Sequence, residues 1–282
     1  MCSSDLRQTL DAYAQATELL ADGMTLREAM RLLLSPDQTL GNEGIDTEVT
    51  FGDWLAEVAR KLANPALARA VAPAPGFLAV LRPYQQLGLN WLAFLDSLGL
   101  GACLADDMGL GKTIQVLAFL STRRGRVAAP SLLVVPASLL GNWQEEIQRF
   151  LPGLNTLVAH ASAIGKQARD GIAAETLRGR DLVITTYAMI QRADWLRETA
   201  WDYIILDEAK AIKNPGARQT RAAKQLAGHN RLVLTGTPVE NRIDDLWSLF
   251  DFVNPGLLGT ATQFRATAKR LQTDSTGYAR LR

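Results

Sequence analysis

Between Ala102 and Leu234 the chain alternates short, continuously apolar runs with stretches of helical periodicity. The runs are Ala102-Cys-Leu-Ala105, Leu132-Leu-Val-Val135, Leu157-Val158, Leu182-Val-Ile184, Tyr203-Ile-Ile-Leu206 and Leu232-Val-Leu234. A strand that is apolar without alternation has no polar face to give to water, so it must be covered on both sides. Helical stretches at Thr113 to Leu120, Leu139 to Phe150 and Arg218 to Leu226 supply the cover. Repeated strand-helix-strand units cross over with right-handed connections and build a mainly parallel sheet. The expected fold class is therefore α/β, with ligands seated beyond the carboxyl ends of the strands.

Ahead of this region the pattern is helical. Leu10, Tyr13, Thr17 and Leu20 recur at helical spacing, and Thr25-Leu-Arg-Glu28 reads as a capping box opening a second short helix. Asp53 caps a helix from Trp54 to Leu62 that Asn64-Pro65 ends. Pro65, Pro73, Pro75 and Gly76 read as a linker, placing a boundary near Ala72 to Phe77. The expected layout is a helical flank and linker over 1–76, an α/β domain over 77–265 and a short tail over 266–282. Met1 to Leu6 are set aside, because read back into codons from a GTG start they match the end of a common sequencing-adapter sequence.

With 48% hydrophobic and 21% charged residues the chain has the make-up of a folded globular protein. At this size it needs no metal or disulfide for stability. Cys2 and Cys103 lie far apart, and with His160 and His229 they form no set with zinc spacing, which fits a reducing, intracellular setting. The 30 basic and 29 acidic residues leave a net charge of +1, so any nucleic-acid contact must use local patches. No apolar run approaches the ~18 residues of a membrane span. The start lacks the layout of a signal peptide, and no membrane partner is expected.

The strongest chemical signal is Asp106-Asp-Met-Gly-Leu-Gly-Lys-Thr113, directly after one strand and before a helix. Gly109 and Gly111 let backbone N–H groups turn inward around phosphate oxygens, and Lys112 reaches the β- and γ-phosphates. The Thr113 hydroxyl is placed to ligate Mg²⁺ at the helix N-terminus. Asp106 stands where the general pattern has its first glycine. A second signal is Tyr203-Ile-Ile-Leu-Asp-Glu-Ala-Lys210, a buried strand ending in two carboxylates. Asp207 suits a Mg²⁺ held through water, and Glu208 suits orienting and polarising the water that attacks the γ-phosphate. In a third element, Leu234-Thr-Gly-Thr-Pro238, the hydroxyls of Thr235 and Thr237 around Gly236 suit a loop coupling nucleotide state to a partner strand.

Together these residues resemble a known family. Leu81-Arg-Pro-Tyr-Gln85, Asp107 to Thr113, Val134-Val-Pro-Ala-Ser138 with Asn142-Trp143, and Thr185-Thr-Tyr187 match its first motifs in order. Asp207 to Lys210, Ile212-Lys-Asn214, Leu234 to Asn241 and Leu246-Trp-Ser-Leu-Phe250 complete the series. The series is similar to that of bacterial Swi/Snf-type ATPases, DNA translocases of helicase superfamily two, over about Leu81 to Phe264. The resemblance implies a RecA-like first lobe with ATP and Mg²⁺ as cofactors and double-stranded DNA as partner. It implies that Arg82 and Gln85, with Asp107, Met108, Gly109, Leu110, Gly111, Lys112, Thr113 and Ile114, bind ATP, Gln85 at the adenine edge. It also implies that Pro136, Asn142, Trp143, Thr186, Tyr187 and Lys213 lie near the tracked DNA strand, although Trp143 reads equally well as core. Lys210 stands where the family more often has His or Gln.

Members of this family place ATP between two RecA-like lobes. The residues after Phe264 are too few for a second, so the chain reads as a fragment of a cytoplasmic, nucleoid-associated protein. An arginine finger from the second lobe contributes about 10³ to 10⁵ in rate, so this chain alone is expected to hydrolyse ATP barely or not at all. Two other readings stay open: a non-catalytic nucleotide-binding or interaction module, and an RNA-directed superfamily-two helicase. Glu208 argues against the first, and the Asn142-Trp143 and Leu246-Trp247 blocks argue against the second.

Overall fold

The computed structural model describes residues 26, 28–30, 53–126, 129–166, 170, 172, 174–237 and 243–273. Leu10, Tyr13, Thr17, Leu20 and Thr25, on which the N-terminal helices were read, lie outside the described residues, as do Pro238 to Asn241. The chain divides into two compact units, one of residues 65–253 and the other of residues 1–64 and 254–282. Within the second unit α1 (Asp53–Ala63) carries Glu57 one turn from Arg60 and Lys61, with ion pairs of 2.8 and 3.3 Å.

The unit of residues 65–253 is built on one six-stranded sheet. In chain order its elements are α2 (Pro83–Ser97), β1 (Ala102–Leu104), α3 (Lys112–Arg123), β2 (Ser131–Val135) and α4 (Leu140–Phe150). There follow β3 (Thr156–Val158), β4 (Leu182–Thr186), the single turn α5 (Tyr187–Ile190) and β5 (Ala200–Leu206). The unit closes with α6 (Arg218–Lys224), β6 (Ala227–Leu234) and α7 (Ile243–Val253). α8 (Ala261–Thr273) belongs to the other unit.

Strand order is β1-β6-β5-β2-β4-β3, and every neighbouring pair is parallel. The central strands explain why: Leu132, Leu133, Val134 and Val135 of β2 and Leu182, Val183 and Ile184 of β4 all have no exposed surface. Residues buried on both faces leave no side for water, which is the condition of a parallel sheet covered by helices. Register then fixes the functional edge. Leu104 pairs with Leu234, Val233 with Leu206, Leu206 with Val134, and Val134 with Thr185. Five strands therefore end almost level, and the segments after them leave from one edge.

The stretch read as a linker is stitched to this unit. Val71 N donates to Asn90 Oδ1 at 2.9 Å, Gln86 Nε2 to the Val71 carbonyl at 2.8 Å and Ala74 N to Ser121 Oγ at 3.0 Å. Leu78 N donates to the Phe150 carbonyl at 2.8 Å. Side chains on α2 and α3 thus satisfy backbone groups that a free linker would leave to water, and the compact unit opens at Pro65.

Candidate nucleotide site at the carboxyl edge of the sheet

β1 leads into the glycine-rich loop, and α3 begins at Lys112. Gly109 and Gly111 have φ of 84° and 79°, left-handed values that strain any L side chain. At Gly111, the N-cap of α3, a Cβ would also fall 2.6 Å from Gln85 Nε2. Lys112 Nζ donates to the carbonyls of Asp106 at 2.7 Å and Asp107 at 3.2 Å, so the loop's own backbone holds the ammonium at its centre. Asp106 ties the loop to the next helical turn, its Oδ2 accepting from Gln115 Nε2 at 2.7 Å. Gln85 braces the other side: Nε2 donates to the Leu110 carbonyl at 3.1 Å and Oε1 accepts from Arg82 N at 2.9 Å. Thr113 and Ile114 on the first turn of α3 are half-buried, while Met108 is 76% exposed at the tip.

β5 delivers the acidic pair beside this loop. Asp207 continues the strand, its N–H donating to the Val134 carbonyl at 2.9 Å. Its side chain is fixed at both oxygens, Oδ2 accepting from Trp143 Nε1 and Oδ1 from Glu208 N, each at 2.8 Å. The phenol of Tyr187 donates to the Asp207 carbonyl at 2.8 Å. Burial pushes the Asp207 carboxyl above its ordinary range and the adjacent Glu208 charge adds to this, while the Trp143 and Glu208 hydrogen bonds and the Lys112 charge oppose it. Glu208 has φ 49° and ψ 53°, and among the described residues it is the one non-glycine residue with positive φ. Its Oε2 lies 3.4 Å from Lys210 Nζ, so the departure at Lys210 places a cation on Glu208.

A third carboxylate completes the cluster and was missed from the sequence. Glu146 stands one turn after Trp143 on α4, on the same helix face. Burial and the Asp207 charge push its carboxyl up, while a hydrogen bond with the Thr113 side chain and the Arg149 charge act the other way. The signal available beforehand was only the three-residue spacing.

The loop after β6 closes the other side. Thr235 is buried, its N–H donating to the Leu104 carbonyl at 3.2 Å, and its Oγ1 accepts from Thr237 N at 3.2 Å. A Cβ on Gly236 would fall 2.9 Å from Met108 Cγ, so this loop passes directly against the phosphate-type loop.

The residues expected along a DNA strand separate into two groups. Asn142 is exposed, and Pro136 and Lys213 are half-buried. Trp143, Thr186 and Tyr187 are 2%, 3% and 6% exposed, so their side chains lie inside the fold, and Trp143 packs in the core. The physical reason is the packing of α4, whose apolar positions Leu140, Trp143 and Ile147 form one buried stripe. The indole and the phenol turn inward to Asp207.

Comparison with known proteins agrees with this geometry. Residues 84–282 match the SNF2-related domain. The chain belongs to the SNF2-related family. Over 193 residues it is 47% identical to YwqA of Bacillus subtilis, covering 67% of this chain and 21% of that protein. It is 41% identical over 196 residues to an uncharacterized ATP-dependent helicase of Mycoplasma pneumoniae, covering 69% of this chain and 19% of the relative. The SWI2/SNF2 ATPase core of Sulfolobus solfataricus in complex with dsDNA superposes with a TM-score of 0.66 at 41% identity, over 76% of this chain and 44% of that chain. The SNF2-related chain thus spans about a fifth of the length of the first two relatives. Its parallel sheet is that of the RecA-like ATPase core, and among the described residues no helix is long and apolar enough to cross a membrane.

Proposed function

We propose that this SNF2-related chain is the ATP-binding lobe of a DNA-dependent ATPase that couples hydrolysis to movement on double-stranded DNA in the bacterial cytoplasm, at the nucleoid. The observation that carries the reading is the convergence at one sheet edge of the Gly109/Gly111 loop with Lys112, the Asp207-Glu208 pair and the Thr235-Thr237 loop. The support for the DNA partner is the Sulfolobus core solved on dsDNA.

The residues fit Mg²⁺ by their chemistry. Among the described residues no group of three His, Cys, Asp or Glu is placed to hold a metal. Mg²⁺ in phosphoryl-transfer sites needs none, taking one or two protein oxygens with substrate phosphates and water. Thr113 and Asp207 supply that hard, all-oxygen set, and the Asp207 and Glu146 carboxyls, both pushed up chiefly by burial, favour a nearby cation. When bound, Mg²⁺ neutralises phosphate oxygens and orients the β- and γ-phosphates.

The chain's own residues do the rest. The loop N–H groups and the α3 N-terminus cradle phosphate, and Lys112 exchanges carbonyls for phosphate oxygens. Arg82 and Gln85 flank the loop where a base would lie. Glu208, its side chain set by the left-handed turn, accepts the proton side of the attacking water. Thr235-Gly236-Thr237 touches the loop at Met108 and relays its position. Pro136 and Asn142 offer the backbone and side-chain groups for phosphates of the DNA strand, whereas the Lys213 ammonium is buried, and a second RecA-like lobe completes the site.

The test is ATP turnover by the full-length protein with no nucleic acid, duplex DNA or duplex RNA. The reading expects duplex DNA to raise turnover at least tenfold, with stimulation falling steeply as salt rises. Equal stimulation by duplex RNA would favour the RNA-directed reading, and no turnover under any condition would favour a non-catalytic module.

A further inference from the structure

One helix reaches Asp207, a residue expected to hold the metal. From α4, the Trp143 indole donates to Asp207 Oδ2 at 2.8 Å in a fully enclosed contact. One turn on, the same helix carries the half-buried Glu146. The same helix exposes Asn142 and follows directly from Pro136 and the short turn Ala137–Leu139. Each Asp207 oxygen spends one lone pair on a fixed donor, Trp143 Nε1 or Glu208 N, and keeps the other. A carboxylate held in this way cannot rotate, so its free lone pairs point in one direction.

We infer that Trp143 is a positioning residue of the metal site, fixing the plane of Asp207 from the helix that also presents Asn142. This rests on the Mg²⁺-nucleotide reading above and deepens it. Trp143, which the sequence reads equally well as near the DNA strand or as core, joins the segment Pro136 to Asn142 to the acidic pair. A shift of that segment must move the indole N–H, and Asp207 Oδ2 with it. Tyr187 acts in parallel from the end of β4, through the Asp207 carbonyl.

The experiment is the Mg²⁺ dependence of binding of a fluorescent ATP analogue to the full chain, followed by anisotropy in Mg²⁺ titrations and in EDTA, with thermal unfolding alongside. Trp143→Phe keeps an aromatic ring and removes the N–H donor. It is expected to raise the Mg²⁺ concentration at half-maximal binding about tenfold, the scale on which groups behind metal ligands act, and to leave affinity in EDTA within twofold. Tyr187→Phe removes a single hydroxyl and fills the same space, so it serves even where the Trp143 variant does not fold; its midpoint is expected to rise about threefold. An unchanged Mg²⁺ midpoint in the folded variants, or equal weakening with and without Mg²⁺, overturns the assignment. Failure of the wild-type chain to bind the analogue at all removes the nucleotide reading itself, a result distinct from a Mg²⁺-insensitive variant.

Discussion

Changing Glu208 to glutamine in the full-length protein is expected to slow ATP turnover by about 10²- to 10⁴-fold, the usual contribution of a positioned base, while ATP affinity changes by less than about threefold. The amide keeps the shape and loses the proton acceptor. A second variant uses the backbone of the same residue. Asp207 is pinned by Val134, Trp143, Tyr187 and the Glu208 N–H, and the chain then turns at once through a left-handed conformation. Ala209, fully buried directly after it, leaves little room to relax that turn. Such strain costs about 1 kcal/mol or more at a non-glycine residue. Glu208→Gly is therefore expected to lose turnover like the glutamine variant yet gain about 1 kcal/mol of stability, a rise of roughly 2–4 °C in Tm. Thermal unfolding of the three proteins checks this. If the glycine variant melts no higher than the wild type, the left-handed turn is not a cost the fold bears for the sake of the carboxylate.

The second large effect lies at the opposite edge of the sheet. Arg123, at the end of α3, donates from Nε and Nη2 to both oxygens of Asp202 at 2.9 and 2.7 Å and from Nη1 to Asp96 at 2.6 Å. Asp202 is 5% exposed. The Arg123 guanidinium lies 4.8 Å from the Tyr203 ring centroid, and the Tyr203 hydroxyl donates to Asp96 at 2.7 Å and accepts from Asn230 at 3.0 Å. Removing the cation strands two carboxylates, one buried. Arg123→Met is therefore expected to destabilise the chain by about 3–5 kcal/mol, measured by denaturant unfolding. Nucleotide affinity of the folded fraction is expected to stay within twofold, since the cluster holds the far end of the helix whose start carries Lys112. The double variant Arg123→Met with Asp202→Asn is expected to recover part of the loss. A single-variant loss under 1 kcal/mol would mean that water already satisfies the cluster.

The strands were legible because a doubly covered parallel sheet demands uninterrupted apolar runs, as Leu132 to Val135 and Tyr203 to Leu206 show. β6 starts earlier than read, at Ala227, since Gly228, His229, Asn230 and Arg231 carry no apolar signal; Asn230 is buried through bonds to Tyr203 and Leu100. The phosphate-type loop and the acidic pair were readable because their chemistry is local. The destinations of Trp143, Tyr187 and Glu146 were not. Trp143 and Tyr187 both meet Asp207, brought close only by strand order, β2 lying between β4 and β5. The same limit applies to Pro65 to Gly76, where composition reads as linker but Asn90, Gln86 and Ser121 capture the backbone.

In the proposed function the Gly109/Gly111 loop and the acidic pair form one Mg²⁺-nucleotide site. Its most direct test is equilibrium binding of a fluorescent ATP analogue to the 282-residue chain, with Mg²⁺ and with EDTA, for the wild type and Lys112→Ala. The expected result is saturable binding that Mg²⁺ strengthens, weakened at least 100-fold by Lys112→Ala at unchanged Tm. Binding that ignores both Mg²⁺ and Lys112 would mean that the loop and the acidic pair do not form that site.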